Sequence, residues 1–277
     1  MIASYMDLMI WPLLAAIILT GIHVYLGLHV VTRGVIFVDL ALAQVAALGM
    51  AIGVLVGLED DSLAIYLLAL SFTFLGAGLF AFTRSLTKTV SQEAIIGITY
   101  AVSAAVMIIL FSKSAEGAEH LNHLLVGSIL FVTPWIVLKT FLLYSVIGLF
   151  HWIYREKFML TSEITTHTGQ VPINLKLWDF LFYMTFGFVV TSSVQIAGVF
   201  LVFTFLIIPA TAALLFVKGV RNRLLFGWAF GVLGSLLGMI VSVLLDIPTG
   251  ATIVACFGVL LVLSGLTKGM LTTQSKA

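Results

Sequence analysis

The chain has 277 residues, of which 61% are hydrophobic and 9% are charged, and its formal net charge is +1. Soluble domains carry roughly 25% charged residues, so this composition excludes a soluble globular protein, a disordered chain and a disulfide scaffold. A net charge this close to zero gives no reason to expect a nucleic-acid partner. The composition indicates an integral helical protein of the lipid bilayer, without room for a folded ATPase or another extramembrane catalytic domain.

Apolar runs of roughly 20 residues, the length that a membrane-crossing helix needs, recur along the whole chain. About nine are present, although the pair between 177 and 217 is barely long enough for two crossings, which makes eight the alternative count. The predicted segments are 8–31, 36–57, 62–83, 93–111, 133–154, 177–194, 197–217, 224–245 and 249–267. The segment 120–132 is too short to cross and predicts an interfacial or half-inserted helix. We therefore expect an all-α integral membrane protein, with 1–277 as a single transmembrane domain.

Basic residues fall on alternate connections between these segments or on the C-terminal tail. They are Arg33, Arg84, Lys88, Arg155, Lys157, Lys176, Lys218, Arg221, Arg223, Lys268 and Lys276. The other connections carry Lys113 with the acidic residues Glu59, Asp60, Asp61, Glu116, Glu119 and Asp246. The positive-inside rule puts the basic connections in the cytoplasm, so we expect the N-terminus outside and the C-terminus inside.

The connection 155–176 is the longest on the basic side and predicts a short helix. Ser162 or Thr161 can cap its N-terminus, Gly169 can end it in the left-handed conformation, and Pro172 blocks its continuation. Such a helix would suit the docking of a separate ATPase. An ordinary interfacial loop helix explains the same pattern.

Two polar residues, Asp39 and Gln44, lie in the second apolar segment, where polar groups usually face a cavity or another helix. Five helical positions separate them by about 140° around the axis, so they do not readily serve one site as a pair. Asp39 has a purely structural alternative, as a first-turn acid favoured by the helix dipole and by nearby Arg33.

Four of the six histidines are the other candidate ligands. His23 and His29 lie in the first segment and could bind a metal, move protons, or simply pack as hydrogen-bonded neutral rings. His120 and His123 are three residues apart, on one helical face, and with Glu119 or Glu116 they could form a zinc-type relay at the outer mouth. Exposed loop histidines are the alternative. His151 and His167 have the pattern of interfacial and loop residues.

Small residues form two ridges at helical spacing, and these let helix backbones approach closely. One ridge is Gly227, Gly231, Gly234 and Gly238, and the other is Gly49, Gly53 and Gly57. The sequence leaves open whether they pack within the chain or across a dimer. No Walker loop, HExxH, CxxC or GxSxG motif is present, so we expect no enzyme here and no permanently bound cofactor.

Five segments together resemble the permease subunits of bacterial ATP-binding-cassette importers for zinc, manganese and iron. They are 27–33 running into 39–49, 92–98 (QEAIIGI), 121–130 (LNHLLVGSIL), 197–212 and 246–254. The resemblance implies a type II importer fold in the bacterial cytoplasmic membrane, paired as a homodimer with the path along the dimer axis. It also implies a cytoplasmic ATPase docked around Ser162, Glu163 and Gly169, an extracellular binding protein that delivers a divalent metal ion, and a gating role for the half-inserted helix.

The second segment departs from that family, which carries an Asp and, four residues later, a His. Counted back from Gly49, the His position is occupied here by Gln44 and the Asp position by Leu40, with Asp39 one place away. A carboxamide is a poorer transition-metal ligand than imidazole. The Asp and His ligand pair of the family is therefore absent from this segment. Candidate path residues are Asp39, Gln44 and His23, with the Glu119–His123 cluster as a substitute.

Three alternatives to a metal importer remain at this point. One is an ABC permease for a non-metal cargo. Another is a stand-alone secondary transporter or channel that uses Asp39, His23 and His29 as ion or proton sites. The third is a membrane scaffold.

Overall fold

The computed structural model describes residues 2–59, 62–84, 90–112, 125–127, 129–163 and 174–274. The helices of this part of the chain are α1 (Ile2–Arg33), α2 (Val38–Leu55), α3 (Leu63–Thr83), α4 (Gln92–Phe111), α5 (Pro134–Ile153), α6 (Arg155–Glu163), α7 (Leu175–Phe216), α8 (Val220–Leu245) and α9 (Thr249–Gln274). A 3-10 turn at Ile129–Phe131 precedes α5. The all-helical fold class is confirmed.

Eight of these helices are long and apolar enough to cross a membrane, and α6 is too short. Helix α7 is long enough for two crossings, because 42 residues amount to about 63 Å of helix at 1.5 Å per residue and a bilayer core is about 30 Å thick. The number of long helices in the described part of the chain is therefore eight, the lower of the two counts predicted from the sequence. The two segments predicted between 177 and 217 are the two halves of α7.

The halves of α7 meet at Gly198, whose φ of 72° and ψ of 167° interrupt the helix. His23 of α1 contacts Ser193 in the first half, whereas Gly27, one turn further along α1, lies against Leu206 and Ala210 in the second half. The chain therefore reverses at Gly198, as the sequence predicts. Glycine is needed there because other residues adopt a positive φ only at a cost in free energy.

Polar side chains explain where several helices begin. The Ser62 hydroxyl accepts a hydrogen bond from Ile65 N at the start of α3, and Ser91 does the same for Ala94 N at the start of α4. Thr133 caps α5, with proline at the next position, and Asn174 caps α7. Each of these oxygens satisfies one of the backbone donors that a helix N-terminus leaves without an intrahelical partner.

The glycine ridge of α8 and the first two glycines of the other ridge, Gly49 and Gly53, pack within the chain, whereas Gly57 lies beyond the end of α2 with nothing within 4 Å of its Cβ position. A Cβ placed on Gly231 would lie 2.3 Å from Thr20 Cγ2 of α1, and one on Gly238 would lie 2.5 Å from Ile253 Cα of α9. Gly49 meets α3 in the same way, at 2.8 Å from Ala69 Cα. Close backbone approach between neighbouring helices accounts for these residues without a second copy of the chain.

The bundle has two distinct ends. At the basic end, Arg33, Arg84 and Asp179 come together. At the far end, Gly127 contacts Gly198, and Gly250 lies against the Val126 carbonyl. Helix α2 is 72% buried over its apolar window, whereas α4 and α9 are each 22% buried, so α2 belongs to the interior and the other two to the periphery.

Candidate functional site

A buried cluster of charged residues ties three helices together at the basic end. Asp179, at the start of α7, accepts hydrogen bonds from Arg33 Nη1 at 3.0 Å and from Arg84 Nη1. The Asp179 and Arg33 side chains are 2% and 3% exposed, and that of Arg84 is 14% exposed. The Arg33 guanidinium also lies 3.9 Å above the Phe182 ring. We call Arg33, Asp179 and Arg84 the basic-end cluster.

Helix α6 is attached to this cluster by its last turn. The Ser162 hydroxyl accepts from Arg33 Nε at 2.9 Å and contacts His29 Nδ1 at 2.7 Å, while it donates to the Phe158 carbonyl at 2.9 Å. Because that hydroxyl has one proton to give, His29 Nδ1 is the donor in their contact. The Thr161 carbonyl accepts from Arg84 Nη2 at 3.1 Å. Both arginines therefore bond to α6 as well as to Asp179.

The short helix predicted in 155–176 is present, but its capping was predicted wrongly. The helix begins at Arg155, directly after α5, so Thr161 and Ser162 lie in its last turn, where their hydroxyls bond back to Lys157 and Phe158 carbonyls. The predicted N-terminal caps are thus C-terminal residues. Glu163 is the final residue of α6, and Gly169 lies outside the described residues. Their role in ATPase coupling stays a prediction.

His151, at the end of α5, is buried rather than interfacial, contrary to the sequence interpretation. It is 1% exposed and stacks on Phe158 of α6, with ring centroids 4.0 Å apart. Its Nε2 contacts Thr185 Oγ1 at 2.8 Å and its Nδ1 contacts Tyr25 OH at 3.2 Å. The signal was present in α5, whose buried positions recur at helical spacing. They are Val137, Thr140, Tyr144, Ile147 and His151.

His23 lies deeper in the bundle and uses both ring nitrogens in contacts within the chain. Nδ1 contacts the Leu19 carbonyl at 2.7 Å, and Nε2 contacts Ser193 Oγ at 3.2 Å. Ser193 in turn contacts Tyr144 OH at 2.5 Å. This is the geometry of a hydrogen-bonded packing histidine, and a role for His23 in a translocation path stays a prediction.

Asp39 and Gln44 are both buried in α2, at 0% and 3% exposure. Within the described part of the chain, neither Asp39 carboxylate oxygen has a hydrogen-bond partner, and Gln44 Oε1 also has none. Asp39 is a first-turn acid, as predicted, but nearby Arg33 bonds to Asp179 and Ser162 rather than to Asp39. Buried polar oxygens without partners are costly, which makes these two side chains candidates for binding a ligand.

The motif 92–98 contributes to the basic end through its first two residues. Gln92 Nε2 donates to Tyr183 OH at 3.2 Å and to the Phe80 carbonyl at 3.1 Å. Glu93 Oε1 accepts from Phe37 N at 3.2 Å, next to the start of α2. The motif therefore links α4 to α2, α3 and α7 at the basic end.

A cavity of about 30 Å³ lies between α1, α6 and α8, which is room for a small number of water molecules. Its polar lining includes Tyr25, His29, Ser162 and Arg223. The inner surface of α6 therefore borders a small cavity with a partly polar lining.

The predicted metal relay of Glu119, His120 and His123 lies outside the described residues and stays a prediction. Within the described ranges, no group of three His, Cys, Asp or Glu side chains could hold a metal ion. At the far end, the segment around Gly127 packs directly on the α7 hinge, and a Cβ on Gly127 would lie 2.1 Å from the Ala197 carbonyl carbon. The short segment before α5 therefore covers the hinge.

Comparisons with known proteins agree over nearly the whole chain. The sequence model of the ABC 3 transport family matches residues 5–268. The manganese import system permease protein ScaB of Streptococcus gordonii is 24% identical over 246 residues, covering 87% of this chain and 84% of the relative. The high-affinity zinc uptake system membrane protein ZnuB of Buchnera aphidicola is 26% identical over 261 residues, covering 92% and 96%.

One solved structure shows the same fold. PsaBC from Streptococcus pneumoniae, determined in complex with Fab, superimposes with a TM-score of 0.77 at 24% identity, covering 95% of each chain. The reversal of α7 and the helix order described above therefore belong to a known architecture.

Proposed function

The chain belongs to the ABC 3 transport family, and on that premise we propose that it is the membrane permease of an importer that moves a divalent transition metal. Zinc, manganese and iron are the proposed cargoes. The names of the manganese and zinc relatives support this cargo class. A stand-alone transporter or a scaffold is disfavoured by the family match over residues 5–268.

The observation that carries the proposal is the attachment of α6 to the basic end. One side of the helix is fixed, through Ser162, Thr161 and the buried Phe158. The first turn of the helix carries Arg155, Glu156 and Lys157, which are exposed. A short helix with a charged free surface and a bonded inner surface suits the docking of a separate protein. We propose that this partner is the ATPase, since the sequence contains no nucleotide-binding loop of its own.

The proposed orientation has the basic end in the cytoplasm. Arg33, Arg84 and Lys157 all lie at that end, and the positive-inside rule favours this side for clustered arginine and lysine. The N-terminus is then outside, and an extracellular binding protein delivers the ion to the far end. The membrane is proposed to be the bacterial cytoplasmic membrane, and the working unit a pair of copies of this chain.

The proposed path is lined by few and weak ligands. Asp39 and Gln44 offer oxygen atoms that have no partner within the described residues, and oxygen ligands of this kind hold a transition metal less firmly than imidazole. Weak sites suit a transporter, because an ion that is held tightly does not leave. His23 is the third proposed path residue, and it would have to exchange its Ser193 contact for the ion.

Gln44 also favours a second candidate, a permease of the same architecture that carries a cargo other than a free metal ion. The family's histidine position is occupied here by a carboxamide, which can both donate and accept hydrogen bonds. A polar molecule or a metal complex would use those bonds better than a bare cation would.

The test is uptake into liposomes that contain this chain together with its ATPase. Zinc, manganese and iron are supplied in turn, with and without ATP, and an ATPase variant that cannot hydrolyse ATP provides the energetic control. Asp39→Asn and Gln44→Leu are compared with Asp246→Asn, which removes a carboxylate from the exposed far end of α8.

ATP-dependent uptake of one ion, lowered by Asp39→Asn but unchanged by Asp246→Asn, is the expected result. Gln44→His should slow release and raise metal affinity, because imidazole is the better ligand. Absence of uptake of all three ions by a complex that hydrolyses ATP would reject the metal cargo and favour the second candidate.

A further inference from the structure

The basic-end cluster connects α6 to α1, α3 and α7 through hydrogen bonds of charged side chains. Resting on the proposed function, we infer that Arg33, Asp179 and Arg84 are positioning residues that form a joint. This joint carries the movement of α6 into the transmembrane helices and so couples ATP hydrolysis by the partner to opening of the path.

Each arginine makes two connections at once. Arg33 uses Nη1 for Asp179 and Nε for Ser162 Oγ, while Arg84 uses Nη1 for Asp179 and Nη2 for the Thr161 carbonyl. Two adjacent residues of α6 thereby bond directly to α1 and α3, and the Asp179 carboxylate joins both arginines to α7. A displacement of α6 must move these helices or break charge-assisted bonds.

The chemistry of the cluster suits transmission better than it suits stability. Buried ion pairs lose so much hydration that well-packed apolar residues of similar volume are often at least as stabilising. What the guanidinium supplies is a planar, rigid set of donors that can bond to two partners in fixed directions. Apolar contacts such as the stacking of Phe158 on His151 can slide, whereas these directional bonds resist sliding.

The experiment uses the complex of the full chain with its ATPase in liposomes, and measures ATP hydrolysis and ions transported per ATP. Asp179→Asn keeps the shape of the side chain and removes the charge that holds both arginines. The matched control is Thr73→Val, which deletes a buried hydrogen bond of 2.9 Å between α3 and α7 without touching α6. Asp179→Asn should leave hydrolysis within about twofold and lower ions per ATP by about tenfold, a typical coupling between sites, while Thr73→Val should change neither.

A second readout does not depend on the cargo. Thr249, at the start of α9, is 8% exposed, and in a Cys256→Ser background Thr249→Cys reports opening of the far end by its reaction with a membrane-impermeant maleimide. ATP should raise labelling in the otherwise wild-type complex and in Thr73→Val, but not in Asp179→Asn. If ATP raises labelling of the wild-type complex but no metal is taken up, the proposed metal cargo is rejected. The labelling of Asp179→Asn still tests whether the basic-end cluster acts as a joint.

Asp179→Asn could lose coupling simply because it misfolds. The control for misfolding is the triple substitution Arg33→Met, Asp179→Leu, Arg84→Met, which replaces the cluster by apolar side chains. A folded triple variant that hydrolyses ATP and does not open supports the joint. Wild-type ions per ATP, or wild-type labelling, in either Asp179→Asn or the triple variant overturns it.

Discussion

The two ends of the bundle are held together by different kinds of contact. At the basic end, long charged side chains bridge helices, as Arg33 and Arg84 do through Asp179. At the far end, backbone packs on backbone, with Gly127 against Gly198. Charge-assisted bonds preserve distances when one partner moves, whereas glycine contacts can separate without leaving a buried charge unpaired. The contacts of the basic end thus suit the transmission of movement between helices. Those of the far end suit the separation of the segment at Gly127 from α7.

The largest expected effect is at the hinge of α7. Gly198→Ala forces a side chain into a residue with φ 72° and puts its Cβ 2.3 Å from Gly127 N, so backbone strain of about 1–3 kcal/mol adds to a direct steric overlap. We expect a large loss of thermal stability in detergent and loss of ATP-dependent uptake. Gly78→Ala is the control, because nothing lies within 4 Å of its Cβ position. Equal stability of the two variants would show that the hinge is not where the structure has it.

Gly127→Ala separates backbone strain from contact at the far end. Its φ is 71°, and its Cβ would overlap Ala197, whereas Gly57 has a φ of 85° with nothing within 4 Å. Both substitutions carry a strain of about 1 kcal/mol or more, but only Gly127→Ala pushes the covering segment off α7. We expect higher maleimide labelling of Thr249→Cys in Gly127→Ala than in Gly57→Ala. The reverse order would indicate that this contact does not close the far end.

The helices could be predicted from sequence because their apolar runs and punctuating residues are local signals. The reversal near Gly198 also followed from local signals, since two crossings could not otherwise fit between 177 and 217. The basic-end cluster could not be predicted in this way. Asp179 is 146 residues from Arg33 and 95 from Arg84, and one sequence gives no indication of such pairings.

Two errors at the candidate site have the same origin. The sequence indicates Arg33 as a neighbour of Asp39 because they are six residues apart, yet Arg33 bonds to Asp179 of α7 instead. The sequence predicts Ser162 as an N-terminal helix cap because serine prefers that position. Its hydroxyl instead serves His29 and Arg33, over 100 residues away. Tertiary partners decided the role of each side chain.

Ser162→Ala tests the attachment of α6 to the basic-end cluster, and we expect an effect of intermediate size. It removes the acceptor of His29 Nδ1 and Arg33 Nε, and each buried donor left without a partner costs about 1–3 kcal/mol, partly offset by water from the neighbouring cavity. We expect lower thermal stability and fewer ions per ATP. Thr161→Val is the matched control, because among the described residues the Thr161 hydroxyl bonds to Lys157 O, within its own helix. Similar uptake ratios in both variants would argue against Ser162 as part of the attachment.

The smallest effect is expected from Arg84→Lys, which retains the charge but loses the planar fork. An ammonium group can pair with Asp179 or reach the Thr161 carbonyl, but it does not reproduce both bonds in fixed directions. The loss of one charge-assisted bond corresponds to about 1.5–3 kcal/mol before any compensation, and the retained ion pair should bring the net change toward 1 kcal/mol. Ions per ATP should fall several-fold while binding of the ATPase is unchanged.

Arg221→Lys, an exposed substitution at the start of α8, should leave both quantities unaltered. If Arg84→Lys matched Arg221→Lys in ions per ATP, charge alone would account for the basic-end cluster and the directional argument would fail, leaving the contrast between the two ends one of polarity only.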